Sequence, residues 1–142
     1  RGGASKSEVI ISDSLINYPK IEKCDLLLAL TQKAYEKYID TLKPGGVLIK
    51  DDNIKETIKR NDIDVYSVPI LSMANNGLKK PMVANIIALG CICELTKVVT
   101  KESLEESVIN RVPPGTEEIN REALHEGYSL IKSIKRKIYH EA

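Results

Sequence analysis

The chain has 142 residues, of which 21 are basic and 20 are acidic, and its formal net charge is +1. This charge balance argues against nucleic acid or an anionic membrane surface as a partner. The sequence contains no run of 18 apolar residues, so no membrane-spanning helix is expected. The length is sufficient for one buried core, which must be aliphatic because the chain has six Tyr but neither Phe nor Trp.

The three cysteines are Cys24, Cys91 and Cys93. An odd number without a Cys-x-x-Cys pair favours reduced thiols in a cytoplasmic protein. Cys91 and Cys93 fall two residues apart on a predicted helix, roughly 200° around its axis, so they cannot face one ligand together. We therefore expect core thiols and no metal site.

In the first half of the chain, continuous apolar runs alternate with helical patterns. This alternation is typical of an α/β fold with three layers, in which helices cover both faces of a mostly parallel sheet. The predicted strands are Val9–Ser12, Asp25–Leu30, Val47–Lys50 and Val65–Pro69. The predicted helices are Gln32–Leu42, capped by Thr31 and stopped by Lys43–Gly46, and Ile54–Arg60, capped by Asp51 or Asp52.

The second half of the chain is predicted to be helical. Its segments are Leu71–Asn75, ending at Asn76-Gly77; Met82–Lys97, opened by Pro81; Ser103–Ile109, capped by Thr100; and a long helix from Thr116 to about Tyr139. The apolar stretch Met82–Cys93 is interrupted only by Asn85, which predicts a buried helix. No repeat or change of composition marks a second domain.

No catalytic constellation is apparent. The chain lacks the Gly-x-Ser-x-Gly of a nucleophile elbow and the Gly-x-x-x-x-Gly-Lys-Ser/Thr of a phosphate-binding loop. Gly45-Gly46 precedes a strand, so we interpret it as a helix-to-strand turn. We interpret Asp51-Asp52 as a helix cap. The alternative is that these carboxylates bind a cation or a ribose hydroxyl. The two histidines, His125 and His140, are expected at the surface.

Several segments together resemble one known family. They are Arg1–Ser12, Tyr18–Lys20, Lys43–Ile49, Val83–Ile86 and Leu89-Gly90, which span nearly the whole chain. In these segments the chain resembles the gamma subunit, or gamma domain, of the 2-oxoacid:ferredoxin oxidoreductases. In that family a strand, a Gly-x-Gly-Gly-Gln-Gly loop and a first helix precede this point. The expectation is a single gamma-type domain over residues 1–142 that lacks those three elements.

The resemblance implies a non-catalytic subunit of a hetero-oligomeric oxidoreductase. The complex would decarboxylate a 2-oxoacid oxidatively to an acyl-coenzyme A and pass electrons to ferredoxin. It would use thiamine diphosphate, magnesium, iron–sulfur clusters and coenzyme A, none of them bound by this chain. The implied partners are alpha, beta and delta-type subunits, and ferredoxin through the complex; the isolated chain would be inactive and is a possible homodimer. Among substrates 2-oxoglutarate is favoured over pyruvate, with branched-chain oxoacids and indolepyruvate left open.

Six residues are candidates for the junction with partner subunits and coenzyme A. By the resemblance, Arg1, Gly2, Gly3, Ala4 and Ser5 lie near that junction, where the Arg1 guanidinium would pair with a carboxylate or phosphate. The alternative for Arg1 is an unstructured chain end. Asn85, the polar break in an apolar helix, is either a hydrogen-bonding anchor to the glycine-rich loop or a partner, or a buried amide satisfied within the domain.

Two other classes of function stay open at this point. One is a free-standing module that binds a nucleotide or coenzyme A, and the other is a structural interaction domain. Composition does not separate these alternatives from a subunit of a larger enzyme.

Overall fold

The computed structural model describes residues 23–141, with side chains up to residue 134. The predicted strand Val9–Ser12 lies outside this range. The chain divides into two compact units at the Ser67–Val68 boundary, and each is described by itself below. The expectation of one gamma-type domain over residues 1–142 stays a prediction.

The first unit is built on a three-stranded parallel sheet in the order β1-β2-β3. Its strands are β1 (Cys24–Ala29), β2 (Leu42–Asp51) and β3 (Asp64–Val68). Helix α1 (Gln32–Tyr38) connects β1 to β2, and Leu27 lies opposite Leu48 in their parallel register. The α/β class is therefore confirmed. The apolar run Asp25–Leu30 predicts a buried strand, but in β1 only Ala29 is fully buried.

Helix α1 begins as predicted and ends early. The Thr31 hydroxyl accepts a hydrogen bond from the Ala34 N–H at 3.1 Å, which caps the helix. The helix was predicted to reach Leu42, but it ends at Tyr38 and a 3-10 turn follows. Arg60 explains this end, since its Nη1 donates to the carbonyls of Ile39 at 3.0 Å and Leu42 at 2.6 Å.

Strand β2 accordingly starts five residues earlier than the predicted Val47. It contains an irregularity, because Cys24 pairs with Leu42 whereas Leu26 pairs with Val47. The pair Gly45-Gly46, interpreted as a helix-to-strand turn, lies inside this irregular stretch. Gly45 adopts φ +81°, a conformation that only glycine takes up easily.

The predicted helix Ile54–Arg60 is wrong, because these residues form a loop that is hydrogen-bonded to α1. The Gln32 amide donates to the Lys55 carbonyl at 2.9 Å and accepts from the Lys55 N–H at 2.8 Å. The Tyr35 hydroxyl does the same with Ile58, at 2.8 and 3.2 Å. These side chains satisfy backbone groups that a helix would otherwise pair internally. Ile54 then packs into the core of the unit.

The second unit is helical, as predicted. It contains α2 (Ile70–Ser72), continued by a π-turn at Met73–Gly77; α3 (Ala84–Thr96), preceded by a 3-10 turn at Pro81–Val83; α4 (Lys101–Arg111); and α5 (Glu117–Glu141). Thr100 caps α4 by accepting from the Ser103 N–H at 3.1 Å, and α4 packs inward through the buried Val108, with Leu104 beside it.

Helices α3 and α5 cross where two glycines meet. A methyl group on Gly127 would lie 2.8 Å from the Cys91 nitrogen and 2.9 Å from the Gly90 Cα, both closer than real Cβ atoms approach backbone. A methyl group on Gly90 would likewise crowd the Gly127 Cα at 3.1 Å. The backbones of the two helices are therefore in direct contact, which only glycine at both positions allows.

We predict that Gly127→Ala destabilises the chain. Helix propensity alone would make alanine more stable than glycine by about 1 kcal/mol, whereas overpacking of a tight crossing costs about 1–3 kcal/mol or more. The expected result is a net loss, measured as a lower urea midpoint by circular dichroism. Ser129→Ala, at an exposed position of the same helix, should be neutral or slightly stabilising. An increase in stability for Gly127→Ala would show that the crossing tolerates a side chain.

Two buried tyrosines offer a matched pair of substitutions. Tyr35→Phe removes both hydrogen bonds to Ile58 and should cost about 1–2 kcal/mol, and it should speed tryptic cleavage after Lys55 and Lys59. Among the described residues the hydroxyl of Tyr128 has no hydrogen-bond partner. Tyr128→Phe should therefore leave stability unchanged or raise it. Equal losses for the two variants, in urea denaturation, would contradict this assignment.

Candidate functional site

Of the six predicted site residues, the structure places one. Arg1, Gly2, Gly3, Ala4 and Ser5 lie outside the described residues, so their role stays a prediction. Asn85 lies in the first turn of α3 with its side chain exposed. Its alternative interpretation as a buried amide is therefore wrong, and its role as an anchor for a partner stays a prediction.

Asn85 is part of an exposed line along α3. Met82, in the turn that leads into the helix, is 76% exposed, and Leu89 is 39% exposed. The residues Met82, Asn85 and Leu89 follow the three-four spacing of one helix face, and we call them the open α3 face. The expectation that Met82–Cys93 forms a wholly buried helix is therefore wrong along this face.

Two lysines precede the open α3 face. Lys79 and Lys80 are exposed, and Lys79 has the left-handed backbone angle φ +56° that is uncommon outside glycine. The turn is held by hydrogen bonds from the Lys80 N–H to the Ala74 carbonyl and from the Leu78 N–H to the Met73 carbonyl, both 2.8 Å. The sequence carries no Asp or Glu between Asp64 and Glu94, so the two lysines have no acidic neighbour in this stretch of sequence.

The carboxyl end of β2 is occupied by charged groups with structural partners. The buried Lys50 donates from Nζ to the Ile54 carbonyl at 2.8 Å and to the Ser67 hydroxyl at 3.5 Å. The buried Asp51 accepts from the Asn53 N–H at 3.0 Å. Asp51 thus shapes a turn rather than capping the predicted helix, while Asp52 is exposed.

A buried carboxylate joins the three long helices of the second unit. The side chain of Glu94 on α3 is only 5% exposed, and the ammonium groups of Lys101, Lys97 and Lys132 lie 2.7, 2.9 and 3.9 Å from its oxygens. Burial by itself raises the pKa of Glu94, but the hydrogen bonds and charges of Lys101 and Lys97 outweigh it and lower this pKa to about 2. The cluster is structural because it links α3 to α4 and α5. Sequence analysis missed it, although a single Glu in an apolar helix followed by lysines was its signal.

The cysteines are packed thiols, as predicted, where the structure shows them buried. Cys91 is fully buried, and this burial raises the pKa of its thiol to about 12. Cys93 is also buried, and its thiol donates to the Val99 carbonyl at 3.5 Å. A protonated or hydrogen-bonded core thiol does not fit the thiolate ligation that an iron–sulfur cluster needs.

The remaining expectations concern histidines, metals and membranes. His125 is exposed, as predicted, whereas the side chain of His140 lies outside the described range. Among residues 23–134, no three His, Cys, Asp or Glu side chains converge as metal ligands would. No helix in the described part of the chain is both long and apolar enough to cross a bilayer.

Fold and surface together define an α/β chain whose buried Glu94, Lys50 and Asp51 have partners within it and whose helix α3 is exposed along one face. The family model of pyruvate ferredoxin/flavodoxin oxidoreductase matches residues 1–130. This chain therefore belongs to the pyruvate ferredoxin/flavodoxin oxidoreductase family, as its sequence resemblance indicated.

Relatives make the assignment more specific. The chain is 46% identical to the 2-oxoglutarate synthase subunit KorC of Methanocaldococcus jannaschii over 94% of its own length and 73% of that protein. It is 39% identical to the KorC subunit of Methanothermobacter marburgensis over 92% of its length and 74% of that protein. The crystal structure of the keto/oxoacid ferredoxin oxidoreductase gamma subunit from Geobacter sulfurreducens superimposes with a TM-score of 0.74 at 40% identity. That match covers 78% of this chain and 65% of the Geobacter chain.

We predict that Glu94→Gln lowers stability at neutral pH by about 2 kcal/mol, because three ammonium groups lose their shared anion. Glu94 has a lowered pKa in the folded chain, so its contribution is complete above about pH 4.5 and is lost as the pH falls towards about 2. Urea denaturation at several pH values should therefore show the difference from wild type shrinking across that interval.

The matched control for this measurement is Glu122→Gln, which changes an exposed carboxylate of α5. It should differ little from wild type at any pH. A Glu94→Gln difference that stays constant from pH 7 to pH 2 would contradict the electrostatic origin of the stabilisation.

Proposed function

We propose that this chain is the gamma subunit of a 2-oxoglutarate:ferredoxin oxidoreductase and acts only within the assembled complex. The complex converts 2-oxoglutarate and coenzyme A to succinyl-coenzyme A and carbon dioxide, and the two electrons released pass to ferredoxin. The observation that carries the proposal is the 46% identity to a 2-oxoglutarate synthase subunit over nearly the whole of this chain. That degree of identity favours 2-oxoglutarate over pyruvate, branched-chain oxoacids and indolepyruvate.

The proposal places the reactive groups on other subunits. Alpha, beta and delta-type chains would hold the thiamine diphosphate, the magnesium and the iron–sulfur clusters. In support, three charged side chains that could otherwise serve a reaction are already bonded to groups within this chain. Glu94 is bound by lysines, Asp51 by a backbone N–H, and Arg60 by Asp62 at 2.7 Å and by carbonyl groups.

The location that accompanies this proposal is the cytoplasm. The structure shows Cys24, Cys91 and Cys93 as free thiols, which suits a reducing compartment. This chain would then shape the surroundings of a reaction whose chemistry belongs to its neighbours, with Arg1 to Ser5 and Asn85 near the junction.

The proposal is tested by anaerobic co-expression of the full chain with the other subunits encoded in the same genome. The purified complex should reduce ferredoxin in a reaction that requires 2-oxoglutarate and coenzyme A, while the chain alone should be inactive. We expect kcat/KM for 2-oxoglutarate to exceed that for pyruvate, 2-oxoisovalerate and indolepyruvate by about tenfold or more.

Three results would count against the proposal. Tight binding of thiamine diphosphate by the isolated chain, or 2-oxoacid decarboxylation by it, would show an autonomous enzyme. A thermal shift with coenzyme A for the isolated chain, without capture of other subunits, would favour a free-standing binding module. Preference of the active complex for pyruvate would overturn the substrate alone and leave the subunit assignment intact.

A further inference from the structure

Helix α3 is mostly apolar, with Asn85, Glu94 and Thr96 as its polar residues, yet only part of its circumference is covered. Ile87, Gly90 and Cys91 are buried, and the Gly90 side packs against α5. A helix that is apolar on all sides is typically buried on all sides. The open α3 face is therefore surface that this chain leaves for something else to cover.

The pattern of exposure is continuous along the helix. Met82, Asn85 and Leu89 are exposed, and the next residue on the same line, Ile92, is half-buried. One polar amide among apolar side chains is a common composition for the centre of a protein interface, where a single hydrogen bond fixes the register of an apolar contact. Single exposed apolar residues are normal, but Met82 and Leu89 share one helix face with an exposed amide between them, which makes this face a candidate contact surface.

Charge identifies what kind of surface fits. Lys79 and Lys80 adjoin Met82, and among the described residues the structure shows no ion pair for either of them. No carboxylate lies between Asp64 and Glu94 in the sequence to neutralise them locally. A complementary surface would present apolar side chains bordered by Asp or Glu.

We propose that the open α3 face, with Lys79 and Lys80 at its edge, is the docking site for another subunit of the same oxidoreductase. This inference rests on the proposed function, which supplies the partner. The partner subunit covers Met82 and Leu89 with apolar side chains, hydrogen-bonds the Asn85 amide and sets carboxylates against the two lysines.

The first test is substitution within the co-expressed complex. Met82→Glu places a charge in the contact, and because Met82 is largely exposed the chain should still fold. We expect its affinity for the other subunits to fall at least about tenfold, measured by native mass spectrometry and biolayer interferometry. Val98→Glu, at an exposed apolar residue beyond the other end of α3, is the matched control and should bind as wild type does.

The lysines are tested by charge reversal. Lys79→Glu with Lys80→Glu should weaken assembly and should remove most of the dependence of affinity on salt. Lys55→Glu with Lys59→Glu makes the same change in net charge at exposed positions of the first unit, and it should leave assembly unchanged. Equal effects of the two double variants would show that net charge, and not this surface, is responsible.

A cross-linking experiment identifies the occupant directly. The photoreactive residue p-benzoylphenylalanine in place of Asn85 should give a cross-link to a different subunit, whereas the same substitution at Glu122 on α5 should not. A cross-link to a second copy of this chain, or to another part of its own full-length chain, would overturn the proposal.

The outcomes separate this inference from the proposed function. If the wild-type chain assembles and Met82→Glu assembles equally well, the docking site is wrong and the proposed function stands. If the wild-type chain captures no other subunit, the proposed function fails and this inference fails with it. If Met82→Glu abolishes only a concentration-dependent dimer of the isolated chain, the face is a contact between copies and the assigned partner is wrong.

Discussion

The close contact between Gly90 and Gly127 is the constraint on which the helical unit depends. With a side chain at either position, the backbones of α3 and α5 would have to separate, and the packing that buries Ile87 and Cys91 would be lost. The same contact determines how α3 is oriented about its own axis. With its glycine side against α5, the helix turns Met82, Asn85 and Leu89 outward. Packing in the core and exposure of the open α3 face therefore have one cause.

Ionic and polar groups are used in this chain to hold irregular backbone and helix junctions in place. Glu94 brings three lysines onto one buried carboxylate. Gln32, Tyr35 and Lys50 bond the backbone of the loop after β2, whereas Arg60 bonds the backbone carbonyls where α1 gives way to β2.

Sequence reasoning predicted most elements that have strong local signals. Thr31 and Thr100 cap helices as expected because their hydroxyls accept hydrogen bonds from N–H groups within the first turn. It failed for Ile54–Arg60, where a helical pattern was overridden by hydrogen bonds from residues about 20 positions earlier in the chain. Of the residues in the proposed docking site, only Asn85 was a candidate from the sequence. Lys79, Lys80 and Met82 escaped notice because an apolar run by itself does not show which of its sides is covered.

Local sequence by itself determined the parallel α/β class, the helical second half, the helix starts and the family to which the chain belongs. Each of these follows from short-range periodicity, capping or shared motifs. Only the tertiary structure decided where α1 stops, that a loop replaces a helix after β2, and which face of α3 remains exposed. These features depend on contacts between residues far apart in the chain, such as Arg60 with Ile39 and Gly90 with Gly127, and no local pattern encodes them.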